Sequence, residues 1–229
     1  MLSPIFPDKM PLVAPSLLSA DFLHLEKDVA FVNEHADLFH LDVMDGIFVP
    51  NLSFGFPVVE AVAARARKPL DVHLMIVHPE RYIERFAAAG ASMISFHLEA
   101  AEDAGIDPAV LLDKLHALGV RAGLAIDPDV PVKSLFPFIG KADFMLVMSV
   151  FAGFGGQKFI EETYDRIAAL HEEIRRQNAP CQIEVDGGVS PANAAALARC
   201  GAGILVAGSS VFKAADRVKA VEQMRGQRM

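Results

Sequence analysis

The chain has 229 residues, a formal charge of -8 and 52% hydrophobic residues. That apolar content lies above the usual ~45–50% and excludes a disordered chain. The acidic balance disfavours nucleic acid and anionic membrane surfaces, both of which call for basic patches. No stretch approaches the ~18 uninterrupted apolar residues of a membrane span. The proline-broken start, Met1 to Pro15, lacks the apolar core of a signal peptide. A cytoplasmic protein is expected.

Short apolar, β-branched runs alternate with helical patterns along the whole chain. In order, the periodicity predicts a strand over 12–18 and a helix over 22–35, then 38–44 with 57–67, 70–76 with 79–89, 93–98 with 108–118, and 121–126 with 132–139. The series continues with 144–150 and 161–177, 182–185 and 191–200, and 203–207 followed by a last helix over 213–224. Asp107-Pro108 and Ser190-Pro191 read as helix starts, and Gly90, Gly119 and Gly201 as left-handed helix ends. Cys181 and Cys200 have no metal-pair spacing and read as buried free thiols in a reducing compartment. Asn51-Leu52-Ser53 fits a glycosylation acceptor but reads as chance in a chain without a secretion signal.

Eight strand–helix steps with no linker favour an α/β protein with a closed (β/α)8 TIM barrel, one domain over 10–229 preceded by an extension over 1–9. No dinucleotide fingerprint follows the first strand, where Ser19-Ala20-Asp21 stands. In such a barrel the chemistry sits at the C-terminal strand ends.

Four groups fall there: His40 and Asp42 on the second strand, His73 on the third, Asp186 at the end of the seventh. Strand side chains alternate faces, so His40 and Asp42 point the same way. A charged and a titratable group on one face of a buried strand are costly unless paired or bound. Two imidazoles and two carboxylates suit one divalent transition ion, zinc, iron, cobalt or manganese, better than magnesium. Taken singly, His-x-Asp more often marks a hydrogen-bonded pair and Asp-Gly-Gly a turn; it is the set of four that carries the reading. Asp42 and Asp186 would reach a ligand from different sides of the ring. That is what inversion of a carbon by proton removal and redelivery requires, and a cation beside the carbonyl oxygens would stabilise the enediolate.

Gly153-Phe154-Gly155-Gly156, Gly187-Gly188 and Gly208-Ser209-Ser210 follow the last three strands. Glycines let backbone N–H groups approach closely, and clustered amides bind phosphate, although glycines also simply make tight turns. Met44, Met75 and Met148 at strand ends read either as core or as the apolar wall around a reacting carbon. Ser16 either donates to a substrate hydroxyl or only ends the first strand. His24, His35, His116 and His171 read as helix-surface residues, and His97 as a support to the site or a satisfied core histidine.

These residues resemble the ribulose-phosphate 3-epimerase family. The likeness runs from Ala14 to Ala214 through Ala14–Asp21, His40–Asn51, Asp71–Met75, Phe96–Glu99, Gly153–Phe159, Glu184–Val189 and Ala207–Ser209. It implies a metal-dependent barrel that interconverts D-ribulose 5-phosphate and D-xylulose 5-phosphate in the pentose phosphate pathway. His40, Asp42, His73 and Asp186 are then the metal ligands, Asp42 the proton acceptor and Asp186 the donor. Ser16 and His73 contact substrate, the glycine loops hold the phosphate, and the protein is a homo-oligomer. The chain departs from the family pattern at Ile47 and at Phe151-Ala152. A 3-epimerase of a hexulose phosphate such as allulose 6-phosphate shares the ligand set. A non-catalytic phosphosugar-binding barrel would explain the glycine loops but not the two opposed carboxylates. A Schiff-base aldolase would need a strand lysine, and the predicted strands have none.

Overall fold

β1 (Leu12–Pro15) starts a run of eight strands that a computed structural model, describing residues 10–226, arranges as one parallel sheet in the order β1-β8-β7-β6-β5-β4-β3-β2. α1 (Leu25–His35), β2 (Phe39–Met44), α2 (Phe56–Ala63), β3 (Leu70–Met75), α3 (Ile83–Ala88), β4 (Met93–His97) and α4 (Leu98–Asp103) follow. Then come α5 (Pro108–Ala117), β5 (Arg121–Ile126), β6 (Phe144–Met148), α6 (Thr163–Gln177), β7 (Gln182–Asp186) and α7 (Ala194–Cys200). The chain ends with β8 (Ile204–Ala207), α8 (Ser209–Phe212) and α9 (Arg217–Arg225). Between β1 and β2 the ring closes through a single parallel bridge, Ser16 to His40. The expected eight-stranded barrel is therefore present. The expected extension over 1–9 lies outside the described residues.

Local chemistry explains where elements differ from their sequence pattern. The first strand stops at Pro15, because Ser16 Oγ accepts from the Leu18 N–H and turns the chain into a 3-10 turn, Leu17–Ser19. The segment predicted as a helix over 132–139 is a 3-10 helix, Val132–Phe138, with Pro137 inside; proline has no N–H for an α ladder. α4 and α8 were not predicted: Leu98 ends no strand but opens a helix. α9 begins four residues later than expected, where Asp216 accepts from the Lys219 N–H at 3.0 Å. Asp107 caps α5 as expected, whereas Ser190-Pro191 leads into a turn and the helix starts at Ala194. Cys181 is buried and Cys200 only half-buried, so the two are free thiols but not a buried pair. Among the four helix histidines, His24 and His116 are exposed and His35 and His171 half-buried.

Strand alternation sorts the interior into layers. One face of each strand packs against the helices through residues such as Phe39, Leu41, Val72, Ile94 and Val185. The other face fills the barrel. Its floor is apolar, built on Leu12, Leu38, Met93, Phe144 and Ile204. Gly123 is required there, since a Cβ at that position would lie 2.3 Å from the Phe144 ring. Above the floor the interior becomes polar: His40, Asp71, His73, Ser95, His97 and Glu184 are all fully buried.

Candidate active site and cation centre

Parity and register together build the site. Asp42 pairs with His73 and His40 with Asp71 across β2 and β3, so two adjacent strands present four polar groups to the interior. β7 brings Asp186 to the same level, opposite Met148 of β6. His40 Nε2 lies 3.3 Å from Asp42 Oδ1 and 3.9 Å from Asp186 Oδ2. His73 Nδ1 repeats both distances, 3.3 Å to Asp42 Oδ1 and 3.9 Å to Asp186 Oδ2. The four donors thus surround one point, all within 4.8 Å of one another.

That arrangement fits a divalent cation. Ligand bonds of about 2.0–2.2 Å leave neighbouring donors roughly 3–3.6 Å apart. The two 3.3 Å separations to Asp42 fall in that range, and the two 3.9 Å separations to Asp186 lie slightly beyond it. His40 Nε2 is buried and has no hydrogen-bond partner, an orphan that an ion would satisfy. Its other nitrogen, Nδ1, stands 2.6 Å from Asp71 Oδ2, which fixes the ring and directs Nε2 into the centre.

Burial and neighbouring charges drive the proton affinities apart. Burial alone would raise the Asp42 carboxyl, but the His40 and His73 imidazoles outweigh it and hold it well below the carboxylate range. Burial pushes Asp186 up to about 7, and the charge of Asp42 adds to the rise. His73 is taken down by burial to about 4 and is neutral. For His40 burial acts downward, but Asp42 and Asp71 prevail and raise it well above its usual value. Burial and then Asp71 also raise the Glu184 carboxyl, which lies 3.4 Å from His40 Nδ1. Two nearby carboxyls with opposite preferences make a base and an acid available in one cavity.

The cavity above the centre is lined by Ser16, Asp42, Met44, Met75, Met148, Gly153, Phe154, Gly155, Gly156, Asp186, Gly187, Gly188, Gly208 and Ser209. His40 and His73 do not line it. Both are fully buried, so His73 offers no exposed atom for the expected substrate contact. The lining also includes Leu18, Ser19, Phe151, Gln157 and Val189, none of them a site candidate from the sequence, where Phe151 stands out only as a departure from the family pattern. Ser19 lies in the Ala14–Asp21 motif, and its hydroxyl stands where a Cβ on Gly208 would come within 2.6 Å. Gln157 Nε2 donates to the carbonyls of Phe151 and Phe154, and Asn51 Nδ2 to that of Gly153, which pins the loop over the cavity.

Residues 12–212 match the model of the family described as Ribulose-phosphate 3 epimerase. The ribulose-phosphate 3-epimerase of Synechocystis sp. is 44% identical over 214 residues, covering 93% of this chain and 92% of that protein. That of Bacillus subtilis is 43% identical over 220 residues, covering 93% and 98%. Solved structures share the fold at lower identity. The 3-hexulose-6-phosphate synthase of Salmonella typhimurium superposes with a TM-score of 0.65 at 16% identity, covering 93% of this chain and 96% of that one. Phosphoribosyl anthranilate isomerase of Thermococcus kodakaraensis gives the same score, identity and coverage. With a family model spanning nearly the whole barrel and relatives above 40% identity, the chain belongs to the ribulose-phosphate 3-epimerase family.

Proposed function

We propose that this chain interconverts D-ribulose 5-phosphate and D-xylulose 5-phosphate by moving a proton at C3 through an enediolate. The observation that carries this is the convergence of Asp42 from β2 and Asp186 from β7 on one point, with proton affinities driven in opposite directions. Ionised Asp42 takes the C3 proton from one side, and protonated Asp186 delivers one from the other; the roles exchange in the reverse direction. Ser16 donates to Asp42 and orients it. Met44, Met75 and Met148 wall the reacting carbon and exclude water. The amides of Gly155, Gly156, Gly188, Gly208 and Ser209 take the phosphate.

His40, Asp42, His73 and Asp186 would hold one divalent ion, with zinc, iron, cobalt and manganese all suited to this donor set. When bound, the ion supplies positive charge that stabilises the enediolate and lowers the carboxylates' proton affinity. No described helix is long and apolar enough to cross a membrane. A cytoplasmic location is part of the proposal, supported by the rice relative named as a cytoplasmic isoform, 39% identical over 217 residues. So is assembly of identical subunits, supported by the exposed Ile47, Leu52 and Tyr82 that line one surface groove.

The test is epimerisation of ribulose 5-phosphate in heavy water. Deuterium should enter the product at C3, and unlabelled product would rule out proton exchange with the enzyme's carboxyl groups.

A further inference from the structure

Behind His73 lies a polar chain that the reaction as described leaves unused. His73 Nε2 stands 2.9 Å from His97 Nε2, and the two rings stack with centroids 5.0 Å apart. His97 is fully buried, and its Nδ1, which makes no hydrogen bond, faces Glu99 Oε1 at 3.8 Å. The ring of Phe48 closes over His97 at 4.8 Å. Glu99 Oε1 accepts from the Asp127 N–H at 2.9 Å, so the carboxylate is anchored where it faces His97. Burial would raise the Glu99 carboxyl, but His97 and the Asp127 N–H outweigh it and hold it below its usual value.

A neutral imidazole carries one N–H and one lone pair. If His73 offers its Nδ1 lone pair to a cation, its proton must sit on Nε2. That proton faces His97 Nε2, which must then be the acceptor, leaving the His97 proton on Nδ1 and directed at Glu99. The opposite arrangement places the His73 proton on Nδ1, 3.3 Å from Asp42 Oδ1, and closes the ligand position. We propose that His97 and Glu99 are positioning residues that hold His73 in the tautomer whose Nδ1 lone pair faces the cation. This rests on the cation reading given above. Neither residue lines the cavity.

Zinc affinity, measured by chelator competition on the full chain, tests the inference. The series is wild type, Glu99→Gln, His97→Leu and His97→Gln, each checked for folding by its thermal transition. Glu99→Gln keeps size but removes the charge and turns one acceptor oxygen into an NH2 donor, so a purely space-filling role would leave zinc affinity unchanged. Glu99→Gln and His97→Leu should each weaken zinc binding about ten- to a hundredfold. His97→Gln, whose amide oxygen can accept from His73 Nε2, should recover most of it. Long-range nitrogen–proton spectra of the zinc-loaded wild type should show His97 protonated on Nδ1 and bare on Nε2. Wild-type zinc affinity in folded Glu99→Gln, or a proton on His97 Nε2 in the loaded protein, would overturn the inference. If His97→Leu fails to fold, Glu99→Gln decides. Wild type that takes up no zinc would sink the cation reading and the inference with it; uptake with unaltered variants would sink the inference alone.

Discussion

The Ser16 hydroxyl donates to Asp42 Oδ2 at 2.5 Å, across the seam where β1 meets β2 through a single bridge. A short hydrogen bond from a neutral donor to an ionised carboxylate orients Asp42 and favours its charged form. Ser16→Ala should reduce kcat/KM by about one to two orders of magnitude, the equivalent of ~1.5–3 kcal/mol for a bond to a charged group. Steady-state kinetics on ribulose 5-phosphate, with metal content measured alongside, checks this. Unchanged kcat/KM would leave Ser16 only as the residue that ends the strand.

Asp186→Asn removes the proposed proton donor while keeping the side chain's size. Turnover should fall by at least about 10²–10⁴, the usual contribution of a positioned acid or base. Binding of a phosphorylated, non-reacting ketose analogue should persist, because the glycine loops are untouched. Calorimetry against that analogue separates the two effects. Retained turnover would reject the two-carboxylate scheme.

The raised Asp186 carboxyl makes the stability of chelator-treated protein depend on pH in a defined direction. An unfolded aspartate titrates near 3.9, whereas the folded one titrates at about 7. Between these values the folded state keeps a proton that the unfolded state has lost, so this group's contribution to stability falls as pH rises. Metal-free Asp186→Asn should therefore melt near the wild-type temperature at pH 4 and above it at pH 8. The depressed Asp42 carboxyl works in the opposite sense, but it is present in both proteins and largely cancels in the comparison. Adding zinc at pH 8 should raise the wild-type Tm more than that of the variant, because a ligand that binds only the folded state stabilises it. Thermal melts at the two pH values with and without zinc settle the signs.

Gly187 has φ +116°, and a Cβ there would lie 2.5 Å from Val150 Cγ2 and 2.9 Å from its backbone nitrogen. Gly187→Ala combines a left-handed backbone with overpacking. A loss of about 2–4 kcal/mol is expected by denaturant titration, together with a raised KM as the end of the cavity proposed to hold the phosphate narrows. Gly55→Ala serves as the control, since a Cβ there meets nothing within 4 Å. Equal stability of the two variants would count against the packing argument.

Strand parity was legible in the sequence because it is local. His40 and Asp42 share a face on the two-residue repeat alone, as do Asp71 and His73, and the barrel follows from eight repeats of one pattern. Asp186 and the glycine loops were legible for the same reason: strand ends can be placed without knowing their neighbours. Element boundaries were less legible where one polar side chain redirects the backbone, as Ser16 does at the end of β1 and Asp216 at the start of α9. The short helix Leu98–Asp103 was hidden because its first residues continue the apolar run of β4.

What the sequence alone determined is which residues face the barrel interior and at which end the polar cluster and its cavity lie, since alternation and turn chemistry act within a few residues. Tertiary structure decided which of those residues meet. Asp71 against His40, His97 against His73, and Ser19 beside Gly208 depend on strand register and ring closure. Those are set by burial summed over the whole barrel, and no short stretch of the chain encodes them.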